Sequence, residues 1–291
     1  MLLTVDIGNT SITLGIFEGE RFVEEFRLAS DKDLALEEYE VLLKSLLKDY
    51  KIDGCIISSV VEELTNKLKS ACDNVLSVDS IILSSKINTG VKICIDNPEE
   101  AGADRIANAC GAYVMYGAAK QLGSQAAKNS GKWKVESGKL NNFQLSTDNS
   151  SAIIVVDFGT ATTFDIVNSK GEFIGGIISL GIMSQLKALN KFTSKLPKED
   201  VSLSPKAIGH NTHDAILSGV IRGTASMIDG MIEQCERELG EKAIIVATGG
   251  YSGLISNYLK RPFDYINPIL TLEGLRYLYN INVCTTVNLY Q

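Results

Sequence analysis

Two short segments constrain this chain more than anything else in it. Leu2-Leu3-Thr4-Val5 runs into Asp6-Ile7-Gly8-Asn9-Thr10-Ser11, and Ile153-Ile154-Val155-Val156 runs into Asp157-Phe158-Gly159-Thr160-Ala161-Thr162. In each, an apolar strand-like run ends in Asp-x-Gly and small hydroxyl residues follow. The glycine permits a tight turn and a close approach of backbone to an anion. Amides and hydroxyls beyond it can donate to phosphoryl oxygens, and the carboxylate can hold a metal ion directly or through water. One such segment is also ordinary turn chemistry. Two, on separate strands far apart in the chain, point to paired lobes clasping a nucleotide.

At 291 residues, 45% hydrophobic and 22% charged, the chain has room for two domains with real cores. Its net charge of −7 gives no footprint for nucleic acid or an anionic membrane surface. A nucleotide therefore needs local help from metal ions, amides or placed cations. The N-terminus reads as a strand with no signal peptide, and no uninterrupted apolar run approaches membrane-spanning length. Six scattered cysteines without a Cys-x-x-Cys pair read as reduced, core-filling thiols of a cytoplasmic protein. His210 and His213 share a helical spacing, but no other ligands complete a zinc site.

Leu2–Val5, Ile12–Phe17 and Arg21–Leu28 predict an antiparallel meander. Leu36, Tyr39, Leu43, Leu46, Leu47 and Tyr50 predict a helix, with Asp31 and Asp33 as capping candidates. Cys55–Val61 reads as a strand, and Leu64, Leu68, Ala71 and Cys72 as a helix. Asn97-Pro98-Glu99-Glu100 carries strong helix-start signals, with a restart at Gly102. From 117 to 151 apolar periodicity gives way to Gly, Ser, Lys, Asn and Gln, which reads as a flexible insertion or linker carrying the single tryptophan, Trp133. Strands return at Ile153–Val156, Phe164–Val167 and Phe173–Ile178, followed by a long helix from about Asp214 to Leu239. Gly219, Gly223 and Gly230 in that helix reflect either a close helix or subunit contact, or simple tolerance. Ile244–Ala247 then opens into Thr248-Gly249-Gly250 and a helix through Leu254, Ile255 and Leu259, a third glycine loop able to meet a phosphate or the sugar–base junction. The expected organisation is an α/β fold with domains at 1–116 and 152–291 around the 117–151 insertion.

The motifs Asp6-Ile7-Gly8-Asn9-Thr10, Ile57-Ser58-Ser59-Val60-Val61, Asn97-Pro98-Glu99-Glu100, Gly102-Ala103-Asp104-Arg105, Asp157-Phe158-Gly159-Thr160-Ala161-Thr162, Lys195-Leu196-Pro197, Asn211-Thr212, Ala247-Thr248-Gly249-Gly250 and Leu270-Thr271-Leu272-Glu273-Gly274-Leu275 occur in this order. Together they resemble the type III pantothenate kinase family over nearly the whole chain outside 117–151. The resemblance implies two ribonuclease H-like domains of the acetate and sugar kinase, chaperone and actin superfamily, and a homodimer. It implies ATP-dependent phosphorylation of the primary alcohol of pantothenate, the first step of coenzyme A synthesis. By matched position, Asp6, Ile7, Gly8, Asn9, Thr10, Ser11, Ile12, Thr13 and Thr160 would bind ATP. Gly102, Ala103, Asp104, Arg105 and Thr212 would bind pantothenate, with Asp104 as proton acceptor. Asp157 would help hold a monovalent cation, potassium or ammonium. Two positions depart from the family pattern: Ile95, where a substrate-contacting tyrosine is frequent, and Leu180-Gly181, where Pro-Gly is usual.

In this reading the two loops grip the phosphates from opposite domains, with Mg²⁺ near Asp6. Asp104 stays ionised at a helix N-terminus, and Arg105 offers two parallel hydrogen bonds to the substrate carboxylate. Two rival readings remain. One is a kinase of another small alcohol or acid; the other is an ATP-binding accessory or regulatory protein with little turnover.

Overall fold

The computed structural model describes residues 1–117, 150–192 and 206–287. Trp133, most of the 117–151 insertion and Lys195-Leu196-Pro197 lie outside the described residues. The first sheet has the order β3-β2-β1-β4-β5, built from β1 (Leu2–Ile7), β2 (Ser11–Glu18), β3 (Arg21–Ala29), β4 (Gly54–Ser59) and β5 (Ile81–Ile82). The first three strands form the expected antiparallel meander, and β4 runs parallel to β1. The second sheet has the order β11-β10-β7-β8-β9-β6. Its centre repeats the first: β7 (Ile153–Phe158), β8 (Ala161–Val167) and β9 (Glu172–Leu180) form a meander, with β10 (Ile244–Gly249) parallel to β7. The edges are β6 (Lys92–Ile93) and β11 (Tyr265–Ile266).

Five layers result. Helices α1 (Leu36–Leu47) and α2 (Glu62–Leu76) cover the outer face of the first sheet through Tyr39, Leu43, Leu64 and Leu68 against Leu3, Val5 and Ile7. Between the two sheets lie α3 (Ala103–Ala112) and α8 (Leu270–Val287). The outer face of the second sheet carries α4 (Ile182–Phe192), α5 (Thr212–Leu217), α6 (Gly223–Leu239) and α7 (Ser252–Ser256). This layering explains the unbroken apolar run of β7. Ile153 and Val155 face the α3–α8 layer, Ile154 and Val156 face the outer helices, and a strand covered on both faces has no polar alternation.

Several local expectations change. Asp31 and Asp33 do not cap α1: Asp31 Oδ1 accepts from its neighbour Asp33 N, and Glu38 reaches back to Ala35 N at 2.8 Å to close the helix start. Asn97 heads only a three-residue 3₁₀ turn, Pro98–Glu100, and α3 starts afresh after Gly102. The long helix starts at Thr212 and carries a π turn at Ser218–Arg222 between α5 and α6. By length and composition Thr212–Leu239 would suffice to cross a membrane. Here Ile216, Val220, Ile221, Ile228 and Ile232 on it belong to the second sheet's core. A Cβ on Gly219, Gly223 or Gly230 would meet nothing among the described residues. The helix after Gly250 has only five residues, so Leu259 falls outside it. Among the thiols, Cys55, Cys72 and Cys110 are buried, Cys235 is half-buried, and Cys94 is exposed rather than core-filling.

Helices α3 and α8 cross in backbone contact. A Cβ on Gly111 would stand 3.0 Å from Gly274 Cα, and one on Gly274 would collide with the Ala107 carbonyl. Only hydrogen side chains allow this approach. The crossing fixes the N-terminal turn of α3 between the two sheets.

Candidate active site

The two hairpin loops meet. Thr10 Oγ1 in the β1–β2 loop lies 3.0 Å from Thr160 Oγ1 in the β7–β8 loop, although 150 residues separate them. Residues Asn9, Thr10 and Thr160 are exposed, as a ligand-facing loop requires. Each loop is held from behind: Gly8 N donates to Ser11 O at 3.0 Å and Ser30 Oγ donates to Gly8 O at 2.5 Å, while Ser184 Oγ donates to Thr160 O at 2.8 Å. The side chains of Ile7 and Ile12, also in the expected ATP segment, are buried in the core and anchor the loop. The third glycine loop joins the same place. Gly249 has φ +84°, and a Cβ there would stand 2.6 Å from Phe158 O and 2.8 Å from Asp157 Oδ1.

Four carboxylates gather beneath the loops, close enough to perturb one another. Burial, then the charge of Asp104, push Asp6 up to about 7, against the Ser58 hydroxyl on the neighbouring strand. Asp157 is pushed up to about 6 by burial, opposed by a hydrogen bond from Asn108 Nδ2 at 3.0 Å. Asn108 is itself buried, and its Oδ1 accepts from Thr271 Oγ1 at 2.8 Å. Thr271, Asn108 and Asp157 thus form a chain from α8 through α3 to β7. Asp165, fully buried on β8, is pushed up to about 7 by burial, opposed by Arg105.

Asp104 sits in the first turn of α3, its Oδ1 accepting from Arg105 N at 2.8 Å. The helix N-terminus is not the dominant influence on its carboxyl. Burial raises it, and the Arg105 amide and charge offset only part of that rise. Arg105 differs from expectation: its Nε donates to Asp165 Oδ1 at 2.5 Å and its guanidinium lies 5.5 Å from the Phe173 ring centre. One edge of the fork is therefore already occupied. Ala103 is buried and Gly102 half-buried. Thr212 is exposed on α5, and among the described residues no hydrogen bond or ion pair ties it to the Asp104 cluster. Ile95 packs partly buried against the α3–α8 core, and Leu180 is exposed at the end of β9.

The donors suit hard cations, being carboxylate and hydroxyl oxygens. Among the described residues, no three His, Cys, Asp or Glu side chains converge on one point. An ion here therefore completes its shell with phosphate oxygens and water, as Mg²⁺ does on a nucleotide. Asp165, Asn108 and Thr271 escaped the sequence reading. Asp165 had a signal, a lone acid inside the apolar run Phe164-Asp165-Ile166-Val167, which a buried strand tolerates only beside a partner.

The sequence profile of the type III pantothenate kinase family matches residues 2–122 and 141–234. The type III pantothenate kinase of Dehalococcoides mccartyi strain CBDB1 is 38% identical over 286 residues, covering 97% of this chain and 96% of that protein. That of Moorella thermoacetica is 36% identical over 287 residues, covering 97% and 100%. Among solved structures, a Baf family protein of Campylobacter jejuni superposes with a TM-score of 0.55 at 20% identity, covering 96% and 98%. A Streptomyces griseus ROK family glucokinase with glucose and AMPPNP gives 0.50 at 12% identity, covering 96% and 99%. These structural likenesses establish the two-sheet α/β fold of sugar kinases. By profile and by full-length identity, the chain belongs to the type III pantothenate kinase family.

Proposed function

We propose that this chain transfers the γ-phosphoryl group of ATP to the primary hydroxyl of pantothenate, giving 4′-phosphopantothenate for coenzyme A synthesis. The observation that carries the reading is the 3.0 Å meeting of Thr10 and Thr160, with Asp6, Asp104 and Asp157 beneath it in mutual electrostatic range. Two hydroxyl-rich loops from two sheets facing one gap are suited to a triphosphate. An acid on a third element is suited to the acceptor.

Phosphoryl transfer leaves the protein mainly positioning and charge neutralisation. Residues 6–13 and Thr160 cradle the phosphates, the loop amides and hydroxyls donating. Asp6 would hold, through water, a Mg²⁺ carried by the nucleotide, whose charge would offset that of the phosphates. Asp157, braced by Asn108, is the site for potassium or ammonium. Gly102, Ala103, Asp104, Arg105 and Thr212 take the acceptor. As the alcohol oxygen bonds to the γ-phosphorus and the bond to the β,γ-bridging oxygen breaks, Asp104 takes the hydroxyl proton and ADP leaves. Its raised pKa makes Asp104 a better proton acceptor than an exposed aspartate, and such acceptance is worth about 10²–10⁴-fold in rate.

The reading includes a homodimer and a cytoplasmic location. Exposed Ile174, Ile178 and Leu180 along one face of β9, and three glycines of the long helix with no neighbour among the described residues, are surfaces a second copy can cover. Mass spectrometry of a reaction holding ATP, Mg²⁺, potassium and pantothenate tests the function: a phosphorylated vitamin supports it, and ATP bound without product on any acceptor favours an accessory role.

A further inference from the structure

We infer that Asp165 is a positioning residue for the acceptor side of the site, holding the Arg105 guanidinium by Nε so that Nη1 is the nitrogen offered to the acceptor's carboxylate. The inference rests on the reading above that Arg105 meets that carboxylate. Three contacts fix the guanidinium: Nε on Asp165 Oδ1 at 2.5 Å, the Phe173 ring 5.5 Å below, and Gly176, where any Cβ would collide with Nη2. Nη2 and Asp165 Oδ2 are both buried without a hydrogen-bond partner. Nη1 is the one guanidinium nitrogen neither bonded nor sealed in among the described residues.

Stability alone is a poor account of this arrangement. A buried ion pair is often no more stabilising than an apolar pair of equal volume, and two unpaired polar atoms add a desolvation cost. Position is a better one. Arg105 follows Asp104 directly on α3, and β8 carrying Asp165 begins immediately after the Thr160 loop. The pair therefore spans from the acceptor-side helix to the strand behind the phosphate loop. It also keeps the guanidinium from folding onto the carboxylate of Asp104, the adjoining residue, whose charge it already offsets.

The test is steady-state kinetics of wild type, Asp165→Asn, Arg105→Ala and the double variant. Each is assayed on pantothenate and on its uncharged analogue, in which a hydroxymethyl group replaces the carboxylate. Asp165→Asn is expected to raise KM for pantothenate by about tenfold or more, the worth of a hydrogen bond to a charged group. KM for ATP and all constants on the uncharged analogue should stay within about twofold. The double variant should lose no more than Arg105→Ala alone, because Asp165 acts through Arg105. An unchanged KM, multiplying losses, or equal damage on the uncharged analogue overturns the inference. Should Asp165→Asn fail to fold, Asp165→Glu keeps the charge and displaces the guanidinium by a methylene; it must raise the same KM, and a normal value overturns the inference. Wild-type turnover of pantothenate is scored first, so a failure of the functional reading is told apart from a failure of the variant.

Discussion

The β1–β2 and β7–β8 loops share one design but are supported differently. Asp6 ends β1 beside a serine hydroxyl and lies in the field of Asp104, and it rises to about 7. Asp157 ends β7 with an amide donated by Asn108, itself gripped by Thr271, and it rises only to about 6. A repeated strand–loop–strand unit thus supplies two carboxylates of different acidity, and the difference comes from what the intervening helices bring. Burial raises both carboxylates, and the proposed roles, a monovalent cation at Asp157 and Mg·ATP at Asp6, turn the contrast into something that can be tested.

The largest effect on this contrast comes from the carboxylate acting on both. Asp104→Asn should reduce kcat by about 10²–10⁴-fold while the far-ultraviolet circular dichroism stays that of wild type. It should also lower the pKa of Asp6 and of Asp157, since the charge of Asp104 raises both. Near-wild-type turnover would remove Asp104 from proton transfer. Next, Asp157→Asn should abolish the difference between potassium and sodium buffers, whereas Asp6→Asn should weaken Mg·ATP binding and leave any residual activity potassium-dependent. If both variants respond alike, the loops are interchangeable and the contrast fails.

A smaller effect is expected from Asn108→Ala, which leaves Asp157 without its donor. Its pKa should rise towards that of Asp6, and the potassium concentration for half-maximal activity should increase by about tenfold, the scale of one lost charged hydrogen bond. Nuclear magnetic resonance titration of the Asp157 carboxyl and a potassium series check the two halves. The smallest is a pH effect on ligand-free protein. Carboxylates with raised folded-state pKa values bind more protons folded than unfolded, so stability declines as pH climbs from about 4 to about 7. Melting temperature should fall across that window and recover with Mg·ATP; Asp6→Asn should flatten the slope more than Asp157→Asn does.

Much of this was legible in the sequence. Apolar runs ending in Asp-x-Gly located β1, β7 and both loops, because a strand covered on both faces and a glycine turn leave strong local marks. The α8 helix left almost none as a periodic element. Leu270, Leu272, Leu275 and Leu278 are all buried because α8 packs between α3 and the first sheet, so it lacks the broad polar face that a periodic pattern requires. Asn108 and Thr271 were illegible for another reason. Each is an ordinary polar residue until the tertiary fold aims it at Asp157, 49 residues from Asn108. The rise at Asp104 left no mark in the sequence, because helix position is local and desolvation is not.

The glycine-to-glycine crossing of α3 and α8 has a consequence for synthesis of the chain. Residues 6–13, 102–105, 157, 160 and 212, which the proposed function sets against nucleotide and acceptor, all emerge from the ribosome before α8 does. Until that helix follows and slots against Gly111, Asn108 lacks the Thr271 hydroxyl. A nascent chain can thus carry every one of those residues while the brace behind Asp157 is still unmade.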